Sequence, residues 1–214
     1  MPLRNRVTPF GELIATEARG TLMGNRGCLH DDRRQVRRLF QLRRWIVCVL
    51  LFKNRRRQLM RPGHYTELFF LDEATALAAG HRPCFECQRA RFHLFCELWS
   101  RANPGLISQP LRADALDEVL HAERLNPDRS KRTYSAPATG LPRGTMAVDE
   151  AGEPHLVLGD SWAPWTPAGY GPAAPLPAGE VAVLTPPSVV RAITASFPVG
   201  VHASATAGPG LRVS

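Results

Sequence analysis

Two cysteines spaced C-x-x-C, Cys84 and Cys87, constrain the fold of this chain more than any other feature. Pro83 precedes them, and because proline is well tolerated in the first turn of a helix, the sequence predicts a helix over residues 83–100. Both cysteines then lie in the first turn, where free N–H groups and the helix dipole favour a thiolate. This arrangement indicates a zinc site, with simple core packing and a redox dithiol as the alternatives.

Two strands and a helix are predicted upstream of the cysteine pair. Residues 65–71 are rich in aromatic side chains and predict a strand, and Asp72 is a good N-cap for a helix over residues 73–79. The apolar run at residues 45–52 suits a second, buried strand. We therefore expect an α+β fold, in which a three- or four-stranded, mostly antiparallel sheet is flanked by helices and followed by a β-rich C-terminal part.

The segment FFLDEATALAAGHRPCFECQR resembles the Ada-like zinc-binding domain, the N-terminal metal-binding domain of the Ada DNA-repair protein. The shared pattern is an aromatic pair, a helix ending in Ala-Ala-Gly, and the motif Arg-Pro-Cys-x-x-Cys, and the match spans roughly residues 45–89. In that family two further cysteines complete a four-cysteine zinc site, and one of them accepts a methyl group from a DNA phosphotriester. This chain has no cysteine at the matching residues 54–60. The resemblance therefore implies the scaffold and two zinc ligands, Cys84 and Cys87.

A second source of metal ligands is a Gly-rich stretch near the N terminus, which holds Cys28 and His30 as a C-x-H pair. Thiolate and imidazole both suit zinc, so these two residues are predicted to complete the site. The alternative is that Cys28 is buried while His30 lies in solvent. Cys48, in the middle of the strand predicted at residues 45–52, is expected to pack in the core and is the reserve ligand.

Positive charge is concentrated in the first part of the chain. Residues 1–61 contain 15 Lys or Arg against 4 Asp or Glu, a balance of +11, whereas residues 62–214 contain 12 against 15, a balance of −3. Clustered cations favour contact with phosphate, so the sequence predicts sequence-tolerant nucleic-acid binding, with solvated surface charge as the alternative. A helix predicted over residues 30–42 carries several of these cations. The side chains predicted to contact nucleic acid are Arg33, Arg34, Arg37, Arg38, Arg55, Arg56 and Arg57.

The remaining elements suggest a division into three parts. Apolar residues on one face predict a helix over Ala113–Arg124, and alternation in TMAVDEAGEPHLVLGD predicts a hairpin around residues 150–153. A further strand at GEVAVLTPP and a short helix at residues 189–195 complete the pattern. The predicted parts are a basic, Ada-like zinc-binding module at residues 1–105, a helix and polar connection at 106–140, and a β-rich part with a loose tail at 141–214.

Three classes of function fit these features. The favoured one is a zinc-containing nucleic-acid-binding protein. The chain lacks the GxSxG, GxxxxGK and dinucleotide-binding motifs, so no catalytic residue is predicted and enzymatic activity stays open. A nucleic-acid-processing enzyme, such as a nuclease or damage-processing protein, is the first alternative, with His30, Asp31 and Asp32 as its polar candidates. The second alternative is a zinc-stabilised structural or partner-binding protein.

Cysteine content and hydropathy indicate where the protein works. The chain has five cysteines, an odd number without tandem disulfide spacing, and no signal peptide at Met1, which together favour a reducing compartment. No apolar run approaches the 18 residues or so that a membrane-spanning helix requires. We therefore expect a cytoplasmic protein without membrane association.

Overall fold

The computed structural model describes residues 1–54, 58–107 and 110–205. This part forms two β-sheets and four α-helices, which confirms the predicted α+β class. None of its helices combines the length and the apolar character that crossing a membrane would need. The helices are α1 Glu73–Ala78, α2 Arg89–Ala102, α3 Ala113–Arg124 and α4 Pro187–Thr194. The strands are β1 Arg4–Val7, β2 Leu13–Ala15, β3 Leu22–Asn25, β4 Ile46–Val49, β5 Leu68–Phe70, β6 Arg82–Pro83, β7 Tyr134–Pro137, β8 Met146–Val148, β9 Pro154–Val157, β10 Ser161–Thr166, β11 Gly169–Tyr170, β12 Ala174–Pro175 and β13 Glu180–Val183.

The first sheet carries the cysteines and has the strand order β2-β1-β5-β3-β4-β6. It is larger than predicted, because the three short N-terminal strands β1, β2 and β3 and the short strand β6 join the two predicted ones. Most neighbours are antiparallel, but β1 with β5 and β4 with β6 are parallel. The mostly antiparallel character was predicted, whereas β4 and β5 are each shorter than the apolar runs that contain them.

The prediction of a helix starting at Pro83 is wrong. Helix α2 begins at Arg89, and Pro83 instead lies in β6, paired with Val47 of β4. The next backbone N–H, that of Cys84, donates to the carbonyl of Val47 at 2.9 Å. The sheet therefore extends to Pro83, and residues 84–88 form the turn that joins it to α2. The C-x-x-C pair lies in that turn.

The prediction of a helix over residues 30–42 is also wrong. The Asp31 carboxylate accepts the backbone N–H groups of Arg33 and Gln35, each at 2.9 Å, and the Asp31 N–H donates to the Gln35 carbonyl. Asp side chains compete in this way with helical hydrogen bonding. Arg34 has a φ of 59°, which is left-handed backbone and ends a helix. The segment is therefore a tight loop closed by a bridge between His30 and Val36.

The hairpin and helices predicted after residue 105 are present, whereas the predicted loose tail is held to α1 at residues 200–202 and otherwise lies outside the described residues after residue 205. Strands β8 and β9 form the expected hairpin, in which the Asp149 N–H donates to the Glu153 carbonyl at 3.0 Å. They belong to an antiparallel sheet with the order β11-β10-β9-β8-β13-β7, and β12 pairs with β10. Helix α3 has the predicted bounds, and α4 covers most of the helix predicted at residues 189–195.

Helix α1 packs between the two sheets and the other helices. All six of its residues are buried, as its short, mostly apolar side chains allow. Ala76 packs with the core of the first sheet, Ala78 with the core of the second, and Leu77 with α2, α3 and α4. The predicted Asp72 N-cap is confirmed, since its carboxylate accepts the Thr75 N–H at 2.8 Å. The division into three parts stays a prediction.

Candidate metal centre

Three cysteines converge at the edge of the first sheet. The Sγ atoms of Cys48, Cys84 and Cys87 all lie within 4.8 Å of one another, a spacing at which they could hold a metal ion. Among the described residues no carboxylate oxygen or imidazole nitrogen joins this group. The residues outside the described ranges contain no Cys, His, Asp or Glu. The centre therefore offers three soft, potentially anionic donors from this chain.

The parallel pairing of β4 and β6 brings the three cysteines together. Val47 pairs with Pro83, so the following residues, Cys48 and Cys84, leave the pair side by side. The turn that carries Cys87 is held to the same strand, since Gln88 Nε2 donates to the Val47 carbonyl at 2.8 Å. One backbone carbonyl of β4 thus accepts from both sides of the C-x-x-C turn and fixes its position.

Strand alternation turns Cys48 away from the core. Successive side chains in a strand point to opposite faces of the sheet. Val47 packs in the core of the first sheet with Leu68 and Phe70, so Cys48 points to the other face. On that face Met23 of β3 lies opposite Cys48 across the strand pair. Cys48 is nevertheless buried, and Leu50, Phe52 and Leu59 line the same cavity.

A cavity of about 250 Å³ lies over this face and reaches all three cysteines. Most of its lining residues are apolar, and Asn25, Glu67 and Glu86 are the amide and carboxylate residues among them. Glu67 is buried, and its Oε2 accepts the Met60 N–H at 2.8 Å. A metal bound to the cysteines would therefore face a mainly apolar space. The apolar lining consists of Met23, Ile46, Val49, Leu50, Phe52, Leu59, Tyr65 and Phe69.

The three thiols polarise one another. A hydrogen bond from Cys48, together with the backbone N–H groups of Cys87 and Glu86, lowers the pKa of Cys84 to about 5. The same hydrogen bond and burial raise the pKa of Cys48, and burial raises that of Cys87. The group therefore holds one thiolate near neutral pH, and the other two sulfurs keep their protons. A divalent cation would reverse this balance, because metal binding releases protons from coordinating thiols.

A buried ion pair anchors the strand that leads into the centre. Arg82 Nε and Nη2 donate to the two carboxylate oxygens of Asp117 on α3, at 3.0 and 2.8 Å. Both side chains are almost completely buried, with 3% and 7% of their surface exposed. Two parallel hydrogen bonds fix both the distance and the orientation of the pair. Helix α3 thus holds the residue two positions before Cys84.

The structure does not bring the predicted ligands Cys28 and His30 to the cysteine centre. His30 Nδ1 hydrogen-bonds the Thr66 hydroxyl at 2.6 Å, and its Nε2 lies 3.2 Å from the Arg61 carbonyl. The Cys28 thiol donates to the His30 carbonyl at 3.6 Å. Both side chains thus stabilise the loops around residues 28–31 and 61–66. Cys48, expected mainly as a core residue, takes the place beside the C-x-x-C pair.

Four of the arginines predicted to contact nucleic acid lie in the loop segment at residues 30–42, and not in the C-x-x-C turn. Arg33, Arg34, Arg37 and Arg38 are all exposed. Arg37 Nε pairs with the Asp31 carboxylate at 2.7 Å, which occupies both Asp31 and Arg37. Asp31 thus has a structural role in the loop, as the N–H groups it accepts also show. The other predicted contacts, Arg55, Arg56 and Arg57, lie outside the described residues.

Comparisons of this chain with protein-family models, with curated proteins and with solved structures give no match. The Ada-like resemblance therefore stays a prediction that rests on the residues quoted for it.

Proposed function

We propose that this protein binds zinc through the thiolates of Cys48, Cys84 and Cys87. The observation that carries the proposal is the convergence of three sulfurs within 4.8 Å of one another, two of them on buried residues and the third on a half-buried one. Thiolates select soft or borderline metals, and zinc is commonly bound by cysteines at this C-x-x-C spacing. The bound ion would join β4 to the turn before α2, and metal binding of this kind adds directly to folding stability.

Metal analysis of cysteine variants tests this proposal. Purified protein should contain one zinc per chain, and Cys48→Ser, Cys84→Ser and Cys87→Ser should each lower that content because each removes a thiolate ligand. Cys28→Ser and Cys96→Ser are the matched controls, since both side chains are partly buried free cysteines outside the group. Full zinc content in a Cys84→Ser, Cys87→Ser double variant would refute the assignment. Loss of zinc in Cys28→Ser would restore the ligand set predicted from the sequence.

A second function, nucleic-acid binding, is favoured by exposed arginines in the loop at residues 31–38, here called the arginine loop. Arg33, Arg34 and Arg38 are exposed, and among the described residues they have no carboxylate partner. The first 61 residues also carry the excess positive charge of the chain. Unpaired guanidinium groups are available for phosphate, and such contacts give affinity without reading the base sequence. We propose sequence-tolerant binding to DNA or RNA by this loop.

A salt titration with matched arginine variants tests the second function. Replacing Arg33, Arg34 and Arg38 by Ala should weaken binding to unrelated sequences equally, and should flatten the salt dependence by about one unit per lost contact. The control replaces three exposed arginines outside the loop, Arg89, Arg101 and Arg129, by Ala. Arg129 matches Arg34, because its φ is also positive, 69° against 59°. Equal effects of the two sets would reduce the result to net charge, and no binding at low salt would remove the proposal.

A further inference from the structure

We infer that a metal at the three-cysteine centre takes its fourth ligand from outside the chain, and that this ligand is a small thiol with an apolar body. The inference rests on the proposed zinc function, because the thiol would bind through the metal. It names the chemical class of the partner that the centre would accept. Three observations support it: the number of protein donors, the shape of the cavity, and the softness of the donor set.

The donor count leaves one coordination position open. Zinc in proteins is usually four-coordinate, and centres with only three protein ligands keep a position for water or substrate. In the part of the chain that the structure describes, no imidazole or carboxylate group lies within 4.8 Å of all three sulfurs. Glu67 and Glu86 line the same cavity but do not belong to this group, and Glu67 Oε2 already accepts the Met60 N–H. His30, the nearest prediction for a fourth ligand, has partners at both ring nitrogens. The residues outside that part have no side chain of these types.

The cavity determines what can approach the open position. Its volume of about 250 Å³ suits a small molecule and is below the usual range for drug-sized ligands. Met23, opposite Cys48, and Phe69, next to Met23 on the neighbouring strand, form an apolar wall beside the sulfurs. Leu50 and Leu59 also line the cavity, and they are 45% and 37% exposed. The cavity thus reaches solvent along an apolar path, which favours a ligand with a hydrocarbon body.

The donor set selects the atom that binds the metal. Three thiolates select a soft or borderline metal such as zinc, and such a metal binds thiolate sulfur well. When an alkyl thiol binds, its S–H bond breaks, the proton passes to the buffer, and a metal–sulfur bond forms as a bound water leaves. No oxidant or reductant takes part in this exchange. A compact alkyl thiol therefore fits both the metal and the walls around it.

Titration of the cobalt-substituted full-length protein with alkyl thiols tests the inference. Co²⁺ replaces Zn²⁺ because its visible absorption reports the ligands. Ethane-, propane- and butane-1-thiol should each change that absorption saturably. The half-saturating concentration should fall by about fourfold for each added CH₂, because each CH₂ enters an apolar space. Propan-1-ol, which lacks the sulfur, should leave the spectrum unchanged, and 2-mercaptoethanol should bind more weakly than propane-1-thiol because its hydroxyl loses water on entering a mainly apolar cavity.

Each result bears on one of the two proposals. Absence of cobalt binding would refute the zinc site itself. If no thiol changes the absorption of the bound cobalt, or if the thiols extract the cobalt into solution, the fourth-ligand inference is overturned while the zinc site stands. Equal affinity for all chain lengths would also overturn it, because the cavity would then take no part.

A cavity-filling variant gives an independent check. Met23→Trp should weaken propane-1-thiol binding by about tenfold or more while cobalt binding persists, since added bulk occupies the space beside Cys48. Leu94→Trp is the matched control, because Leu94 is 37% exposed on α2 and does not line the cavity. Unchanged thiol binding in Met23→Trp would overturn the placement of the ligand. If Met23→Trp fails to bind cobalt, the chain-length series in the unaltered protein decides the question.

Discussion

At the residue scale, the protonation states of Cys48, Cys84 and Cys87 depend on one another. The Cys48 thiol donates to Cys84, so Cys84 carries the negative charge, with a pKa of about 5. Cys48 and Cys87 keep their protons, because the hydrogen bond to Cys84 and burial raise the pKa of Cys48, and burial raises that of Cys87. Two adjacent thiolates would repel each other in this partly buried position, which explains why only one forms without a cation.

We predict that one thiolate appears in the metal-free protein as the pH rises through about 5, at the pKa of Cys84. The thiolate absorbance of the protein minus that of Cys84→Ser gives this titration directly. The folded pKa lies below the ordinary thiol value of 9.0. The ionised Cys84 therefore stabilises the fold fully above the unfolded pKa, and this contribution is lost as the pH falls through the folded pKa.

Cys48→Ala tests the cause of the lowered pKa of Cys84. It removes the thiol hydrogen bond that stabilises the Cys84 thiolate, so the pKa of Cys84 should rise toward its ordinary value. Cys96→Ala is the control and should leave the titration unchanged, because Cys96 packs against the core formed by α2, α3 and α4 and does not belong to the three-cysteine group. A thiolate midpoint near 9 in the unaltered metal-free protein would contradict the hydrogen-bonding account.

At the element scale, the bond between α3 and β6 positions the cysteine turn. We predict that Asp117→Asn lowers the free energy of unfolding by about 3–5 kcal/mol, because it leaves the Arg82 guanidinium buried and uncompensated. Urea denaturation followed by circular dichroism measures this change. Zinc affinity should fall as well, since Arg82 lies two residues before Cys84.

The matched control for the ion pair is Asp114→Asn on the same helix. Asp114 pairs with Arg112, but both side chains are exposed, at 68% and 76%, and water screens such a pair. Little change in the urea midpoint is expected for this variant. If Asp114→Asn and Asp117→Asn destabilise the protein equally, the pair between Asp117 and Arg82 does not hold β6 in place.

Elements with local signals were predictable from the sequence, and elements that depend on distant pairing were not. The N-cap Asp72 and the apolar face of α3 mark their helices within a few residues of sequence. The start of α2 was misplaced, because Pro83 fits the first turn of a helix as well as the edge strand that it actually forms. The Asp31 turn was missed in the same way, since several apolar residues of that loop also suit a helix.

The candidate site shows the same limit. Cys84 and Cys87 were identifiable from their spacing alone, but Cys48 lies far from them in the sequence and joins them through the pairing of β4 with β6. Strand alternation offered a usable signal: Val47 and Cys48 cannot both face the core, so one of them had to face the other side. The C-x-H pair had the right chemistry for zinc, but Thr66 and the loop at residues 61–66 use its polar atoms.

At the scale of the whole molecule, α1 joins regions that lie far apart in the sequence. Its Ala76 packs against the metal-site sheet, while Ala74 and Ala78 pack against the C-terminal sheet. The C-terminal segment returns to the same helix, where the His202 N–H donates to Asp72 Oδ2 at 2.9 Å and the Gly200 N–H donates to Glu73 Oε2 at 2.8 Å. The two sheets therefore share one buried element.

We predict that both sheets unfold in a single transition and that Ala78→Leu shifts it as a whole. Ala78 is fully buried against the second sheet, so a larger side chain should overpack the contact and cost about 1–3 kcal/mol. Hydrogen exchange with mass spectrometry, followed over a urea series, should give the same lower midpoint for peptides of β4 and of β9. Ala90→Leu, at an exposed position of α2, should leave both midpoints in place. Two separate transitions, or a shift confined to the peptides of β9, would show that the sheets are independent units and would support the division predicted from the sequence.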